Sequence, residues 1–555
     1  MVDTATIDRL DAAYSHAHRA EQARERARAM APRVSLWEAE TVGLSMKGYV
    51  RGEYAGSCEW AVLEVGTASV TLPAEHPLAM WAARWYERDK SVVVLRVDHN
   101  ASRWCGTLSE CVTTQDENGD RQVELAFLHD LEQLKHLPLY PNPVLPSAVQ
   151  IPKVFMLVGK AISIMAAAMQ LNLLRSYTLL GFNLPDDVLD PNSWLAQWRW
   201  RDWPMLVHPV NYTEDRSPIR YLGARMDMAY DVMVPICEDI QANIEIVRWF
   251  PGDPDPWPGA KLTRPGQMVI RFVDKSGWFE GTSLFGTLGG GLIRTVLELA
   301  DGAVEEIRRV VDERPDAPEY EVSGWLGVAP SQPYVLYTTA PGRNMVTSIT
   351  ERYAPPTVGK ITVGGQSMPG VNETISAATK LIFNLFGSFV PGGAGFGAIA
   401  DDALKPMYEN SLLAFQTIDL VLRKRSLGWG HYIEDVDVGS IPAYTMEALM
   451  ALRALRRASE GTTSIEVNVG DGSPYVIGGD GHGHWHHGDR IAVESVAHPG
   501  RVEALVCQKL SLSWDAESAP EYTAELGKWP RRDPVLWLIG LVGKMAQDMQ
   551  KQGLL

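Results

Sequence analysis

The sequence predicts an α+β, multidomain protein, and three observations predict it. Alternating, strand-like segments fill Leu36 to about Leu137, the same signature returns from Thr463 to Gly527, and helical periodicity dominates much of what lies between. Residues 5–30, rich in Ala and Arg with Ile7, Leu10 and Tyr14 at helical spacing, read as an N-terminal helix.

In the first β region, Val42–Tyr54 and Cys58–Leu72 alternate loosely, and Pro77–Arg88 reads as a short helix. Ser91–Asp98 and Trp104–Thr113 pair across the Asp98-His99-Asn100 turn, and Asn118-Gly119 marks a hairpin into Arg121–Leu128. Such an antiparallel meander with one helix suits a small barrel, because closure removes exposed edges. The proline-dense connector Leu137–Pro146 then stops regular structure. Residues 150–250 read as mostly helical, with a tryptophan cluster (Trp194, Trp198, Trp200, Trp203) and a helix over Tyr230–Arg248. After the turn-rich Phe250–Gly266 come strands at Gln267–Asp274 and Trp278–Glu280, a glycine cluster at Gly286–Gly291, a helix at Leu292–Asp312 and a strand at Tyr334–Tyr337. Helix returns over 374–458, broken at Val390–Gly397 and Leu427–Gly430. Strands follow at Ile465–Val469, Asp489–Ser495, Arg501–Leu512 and Glu521–Leu526, then a helix at Pro534–Gly553. No repeat of fixed period is visible in the residues.

At 555 residues and 46% hydrophobic content the chain can bury several cores. Its net charge of −17 argues against a primary role in gripping a phosphate backbone. Five dispersed cysteines, none in a C-x-x-C pair, exclude a zinc ribbon and a disulfide framework. The 18 tryptophans are expected at interfaces as anchors. The charged N-terminus lacks an apolar signal region, so synthesis in a cytoplasm is expected. Two apolar stretches invite comparison with the roughly 20 residues that span a bilayer. Phe155–Leu174 is interrupted by Lys160 and Gln170 and reads as a buried helix; Ile375–Ala400 is split at Pro391–Gly393 and reads as an apolar loop or helical hairpin.

The sharpest local feature is Gly481–Asp489, which places His482, His484, His486 and His487 among six consecutive positions. Neutral imidazoles so spaced can hold a divalent metal, within one chain or shared between subunits, and Asp489 could add an oxygen; an unmetallated hairpin tip is the other reading. Beyond that candidate metal, no cofactor is expected. Catalytic patterns are weak. No Walker loop follows the glycines at 286–291 or 393–397, and Ser367 fails the spacing of a nucleophile elbow. The pairs Glu238-Asp239 and Asp401-Asp402 are more simply solvated carboxylates. Arg423, Lys424 and Arg425, with Arg453, Arg456 and Arg457, form a basic zone that reads as a solvated face or a contact for an acidic surface or passing DNA.

Both ends carry a family resemblance. Leu44-Ser-Met-Lys-Gly-Tyr-Val50, Glu59-Trp60, Val70-Thr-Leu-Pro73, Trp104-Cys-Gly-Thr-Leu-Ser109, Val123–His136 and Leu139-Tyr-Pro-Asn-Pro143 form one block. Residues 386–400 lead to Ala400-Asp-Asp402, Tyr408, Leu413-Ala-Phe-Gln416, Arg423 and Leu427-Gly-Trp-Gly-His431, and the last block is Gly488-Asp-Arg-Ile491 with 501–512 and 521–527. In these the chain resembles the minor tail proteins of actinobacterial siphophages that form the tail-tip hub, a family related to trimeric baseplate hubs of contractile phages. The resemblance covers about half the chain and carries no catalytic signature.

The resemblance implies a virion structural protein, not an enzyme, with two tube-like β-barrel domains and helical insertions. Three copies would then present six barrels and adapt a sixfold tube to a threefold tip through which DNA passes unbound. The domains expected are 1–35 (N-terminal helix), 36–138 (first barrel), 139–265 (helical, Trp-rich insertion), 266–370 (α+β, part of the second barrel), 371–460 (helical, with the broken apolar loop), 461–530 (strands completing a barrel) and 531–555 (C-terminal helix). Implied partners are further copies of itself in a homotrimer, the distal tail protein, the tail tube, the tape measure protein and other minor tail proteins, with transient contact to the host envelope; the segment 375–400 is expected either to plug or line the central passage or to make that contact. Rival readings are a metal-dependent hydrolase centred on the histidine tract, a tail-borne cell-wall hydrolase, and a receptor-binding tail protein.

Overall fold

A computed structural model describes residues 30–145, 149–178, 199–276, 335–338, 346–363, 417–419, 421–437, 462–470, 475–479, 483–497, 502–517 and 520–527, with isolated positions elsewhere such as Asp548. Apart from isolated helical positions such as Tyr14, Arg19 and Asp548, the expected N-terminal and C-terminal helices lie outside the described residues, as do the glycine cluster 286–291, Ser367, the apolar segment 375–400, Asp401-Asp402, the arginines at 453–457 and His482.

The first β region forms β1 (Arg33–Ala39), β2 (Leu44–Tyr49), β3 (Ala55–Ala61), β4 (Thr67–Pro73), α1 (Pro77–Ala83), β5 (Val93–His99), β6 (Ser102–Gln115) and β7 (Arg121–His129), closed by a 3-10 turn at Asp130–His136. The loosely alternating segment Cys58–Leu72 is a hairpin, turned at Leu63 with φ 58°. The Asn118-Gly119 signal is realised: Gly119 sits at φ 89°, where a Cβ is disfavoured, and β6 returns as β7.

Next come β8 (Phe155–Lys160), α2 (Ala161–Tyr177), β9 (Met205–Val207), β10 (Ile219–Ala224), α3 (Ala229–Ile240), β11 (Ala242–Trp249) and β12 (Gln267–Asp274). This region is less helical than expected. Phe155–Leu174 starts as a strand, and the helix predicted over Tyr230–Arg248 ends at Ile240, where Gln241 turns left-handed at φ 56°. The physical reason lies in the residues beyond it: Ile244 and Ile246 gain more by packing on a pleated face than by losing rotamer freedom in a helix. β8 pairs with β10, while β9, β12 and β11 form a small mixed sheet. α2 packs with them in one core containing Met165, Met169, Leu173, Leu222, Met233 and Ile270. No described helix is long and apolar enough to cross a membrane.

The remaining elements are β13 (Leu336–Tyr337), β14 (Val346–Ala354), β15 (Lys360–Val363), β16 (Thr417–Asp419), α4 (Val421–Leu427), β17 (Asp435–Asp437), β18 (Thr462–Gly470), β19 (Arg490–Glu494), β20 (Val502–Asp515) and β21 (Glu521–Gly527). β15, β16 and β17 make a separate three-stranded sheet.

The strands expected in two barrels instead join into one 13-stranded sheet, ordered β14-β18-β21-β20-β3-β4-β7-β6-β5-β1-β2, with β19 beside β20 and β13 beside β19. No closed hydrogen-bonded barrel occurs among the described residues. The seam explains why: β20 passes from its own neighbour β19 to β3 of the other end, pairing Lys509 with Ala61 through to Asp515 with Ala55. The sheet curls, so strands distant in its order touch. Trp60 Nε1 donates to Arg103 O at 3.3 Å, and His99 Nδ1 lies 3.1 Å from the Tyr522 hydroxyl. Leu36, Leu95 and Phe127 therefore share one core with Val467, Leu510 and Tyr522.

The sheet also has two halves of the same plan. Neighbours run β1, β5, β6, β7, β4, β3 in the first and β13, β19, β20, β21, β18, β14 in the second. β6 and β20 are each 14 residues long, and each is bulged against its hairpin partner, between Leu108 and Glu110 and between Cys507 and Lys509. In both halves the short flanking strand stops just before the bulge, at the pairs Val94–Thr107 and Arg490–Val506. The halves differ in one pairing: β1 runs antiparallel to β5, whereas β13 runs parallel to β19.

Close packing at the curl yields one prediction. A Cβ on Gly106 would strike the Leu128 carbonyl oxygen and the ring of Trp104, which is fully buried and donates from Nε1 to Glu59 O at 2.9 Å. Gly106→Ala is expected to destabilise the fold by about 1–3 kcal/mol, the range for overpacking. Urea unfolding of the variant checks this; an unchanged midpoint would contradict the packing described.

Candidate functional site

The histidine tract lies where the large sheet meets the insertion. Its backbone is fixed by the stretch before β19: His484 N donates to Val476 O at 2.8 Å, Gly488 N to Cys507 O at 2.8 Å, and His486 N to Asp489 Oδ2 at 2.8 Å. Trp485 between them is buried and donates from Nε1 to the Tyr337 hydroxyl at 3.1 Å. His484 and His486, two positions apart, nonetheless have different partners. His484 Nδ1 accepts from Val476 N at 3.0 Å and its ring stands edge-on to Tyr475.

His486 and His487 come together, Nδ1 to Nδ1 at 2.6 Å, so one ring donates and the other accepts. His486 also stands edge-on to Trp60 of β3 at 5.2 Å, and its Nε2 is enclosed without a hydrogen-bond partner. Burial, with the neighbouring His487 and Lys275 adding to it, pushes His486 down to about 3; burial, Lys275 and His129 push His487 down to about 3. Both rings are therefore neutral at pH 7. Asp489 does not join them as an oxygen ligand. Its carboxylate is engaged by the His486 backbone and by Lys275 Nζ at 2.8 Å, and Lys275 reaches Glu245 at 3.4 Å. Among the described residues no group of three or more His, Cys, Asp or Glu side chains is placed to hold a metal ion.

Around this pair, side chains tie the sheet to the insertion. Arg248 of β11 grips Asp130 with two bonds of 2.7 Å, Nε to Oδ2 and Nη2 to Oδ1, and both residues are almost wholly buried. Arg103 of β6 donates to Arg248 O at 2.9 Å and to Asp253 Oδ1 at 3.0 Å. Arg96 and Arg103 both lie over the buried Phe250 ring, at 4.4 and 5.4 Å, and Trp37 packs on it at 4.5 Å. Sequence reading found none of these partners, because nothing local links Asp130 to Arg248 or Arg103 to Asp253. The acidic pair Glu238-Asp239 resolves into structure as well: Asp239 accepts from the buried Arg220 at 2.6 Å.

Cys58, Cys105, Cys237 and Cys507 are buried, and burial pushes each thiol well above its usual range, away from nucleophilic use. Trp60, Trp104, Trp203, Trp485 and Trp514 are core residues, while Trp85, Trp200 and Trp429 are exposed among the described ones. Trp429 stands in the open between Gly428 and Gly430, both at positive φ, with Tyr432 and Ile433 exposed beside it. In the basic run preceding it, Arg425 is exposed, and Arg423 and Lys424 are half-buried.

Residues 33–528 match the family model described as Siphovirus ReqiPepy6 Gp37-like protein. The chain is 28% identical over 582 aligned positions to Minor tail protein Gp28 of Mycobacterium phage L5, covering 96% of each chain. It is likewise 28% identical to Minor tail protein Gp28 of Mycobacterium phage D29, again over 96% of each. Among solved structures, a 43 kDa tail protein of prophage MuSo2 from Shewanella oneidensis aligns at a TM-score of 0.37 and 10% identity, over 91% of this chain and 98% of that one.

Proposed function

The chain belongs to the Siphovirus ReqiPepy6 Gp37-like protein family, and from that premise we propose that it is a hub subunit at the tip of a siphophage tail. As a minor tail protein it is a structural part of the virion and not an enzyme. In our reading it adapts a sixfold tube to a threefold tip as a homotrimer, contacts the distal tail protein, tail tube, tape measure protein and other minor tail proteins, and lets DNA pass during ejection. One observation carries the proposal: a single chain holds two sheet halves of the same strand order, bulge and hairpin plan. Three such chains would offer six equivalent units, which is what a sixfold ring requires of a threefold partner. The net charge of −17 suits the same role, since an acidic wall repels a phosphate backbone and does not retain it.

Reconstruction of the intact virion by cryo-electron microscopy tests this. Three copies are expected at the tail tip, with acidic residues facing the passage; density for the chain along the tube or in the head would sink the hub assignment.

A further inference from the structure

The two halves of the sheet differ in one respect that bears on assembly. Beyond its bulge, β20 bonds β21 on one side and β3 on the other. Beyond the equivalent bulge, β6 bonds β7 on one side, and its other side, over Ser109–Gln115, has no strand beside it among the described residues. The place that β3 fills in the second half thus has no described strand in the first. The counterpart of β3 is β14, which has only β18 as a described neighbour.

We propose that β14 of a second copy of this chain adds antiparallel to β6 over Ser109–Gln115, repeating between copies the seam that β20 and β3 make within one. This rests on the reading of the chain as a multicopy tail subunit. The contact is head to tail, one copy's first half to the next copy's second, so successive copies alternate equivalent halves and close a ring when the rotation allows.

The internal seam fixes the register. Leu108 and Cys507 immediately precede the bulges and face Phe127 and Leu526. Those two face Ala68 and Val467, which in turn face Cys58 and Ile349. Ile349 is therefore the counterpart of Cys58, and Thr113 that of Leu512, its partner across the seam. Carrying the pairing across sets Glu110 opposite the second copy's Arg352, Val112 opposite its Thr350, and Thr114 opposite its Ser348. These are an opposite-charge pair, a β-branched pair and a hydroxyl pair, each a favourable cross-strand combination. Glu110 and Arg352 are both exposed in the single chain, and Arg352 already reaches Glu466 at 3.2 Å, so it would lie between two carboxylates.

The test uses the full-length chain in assembled tails, in a Cys111→Ser background, carrying Thr114→Cys and Ser348→Cys. On oxidation, disulfide-linked multimers are expected on non-reducing gels, absent from either single variant, and several-fold weaker for Thr114→Cys with Thr350→Cys. Within the linking background, Glu110→Arg or Arg352→Glu alone should lower the linked fraction, and the two together should restore it. Chain present in tails but not linked above the single variants, or linked best in the shifted register, overturns the strand addition and leaves the tail reading standing. Unsubstituted chain missing from purified tails overturns the tail reading itself.

Discussion

Arg248→Ala is expected to be the most damaging single substitution in the junction, costing about 3–5 kcal/mol, the range for a buried ion pair stripped of one partner. The bidentate bonds to Asp130 satisfy a carboxylate that has almost no access to water, and Arg248 also donates to Gly266 O at 3.1 Å. Alanine would leave Asp130 charged and enclosed, and would remove the strut between β11 and the turn that follows β7. Since typical domains hold only about 5–15 kcal/mol in total, such a loss should be visible as reduced soluble yield as well as a lower urea midpoint. The double change Arg248→Leu with Asp130→Leu separates burial from pairing. Replacing both charges by apolar groups should recover most of the loss, because the desolvation cost disappears with the attraction. A double variant no better than Arg248→Ala would instead locate the cost in lost packing.

Stability should also fall on mild acidification, through His486 and His487. Both rings are depressed to about 3 in the fold from the ordinary 6.5, so between those values the unfolded chain binds protons that the folded chain refuses. Their contribution is complete above pH 6.5 and is lost as pH falls below it, at up to about 1.4 kcal/mol per pH unit for each ring. A second proton on the pair would place two cations at Nδ1–Nδ1 contact, near Lys275 and with His129 close by, and among the described residues Asp489 and Glu245 oppose it. Urea midpoints measured from pH 7.5 to 5 should decline steeply in the parent chain and shallowly in His486→Gln with His487→Gln. Equal slopes would show that the rings are not held neutral by the fold.

Much of the fold was legible because β-strand signals are local. Alternation located both strand-rich ends, and Asn118-Gly119 located a hairpin whose geometry needs that glycine. The joining of the two ends into one sheet was not legible. Whether β20 closes on its own half or passes to β3 depends on contacts between residues more than 400 apart, and no local pattern records that choice. The duplication escaped for a related reason. Leu108-Ser109-Glu110 and Cys507-Gln508-Lys509 occupy equivalent bulges with no residue in common, since a strand position constrains which face is buried and little else. Of the histidine tract, sequence supplied the cluster and its turn. It did not supply the separate partners of His484, bonded to Val476, and of the paired His486 and His487, nor Lys275, which takes Asp489 away from them.

The seam between β3 and β20 has a consequence for how the chain is made. Ala61 waits for Lys509 to be synthesised, which at roughly 5–20 residues per second is an interval of about 20–90 s. Throughout that time the edge of β3 is exposed on a nascent chain whose first seven strands already have most of their neighbours. An unpaired edge of that kind invites pairing between nascent chains on neighbouring ribosomes. Translation rate and chaperone supply in the infected cell should therefore set how much of this protein reaches its folded form.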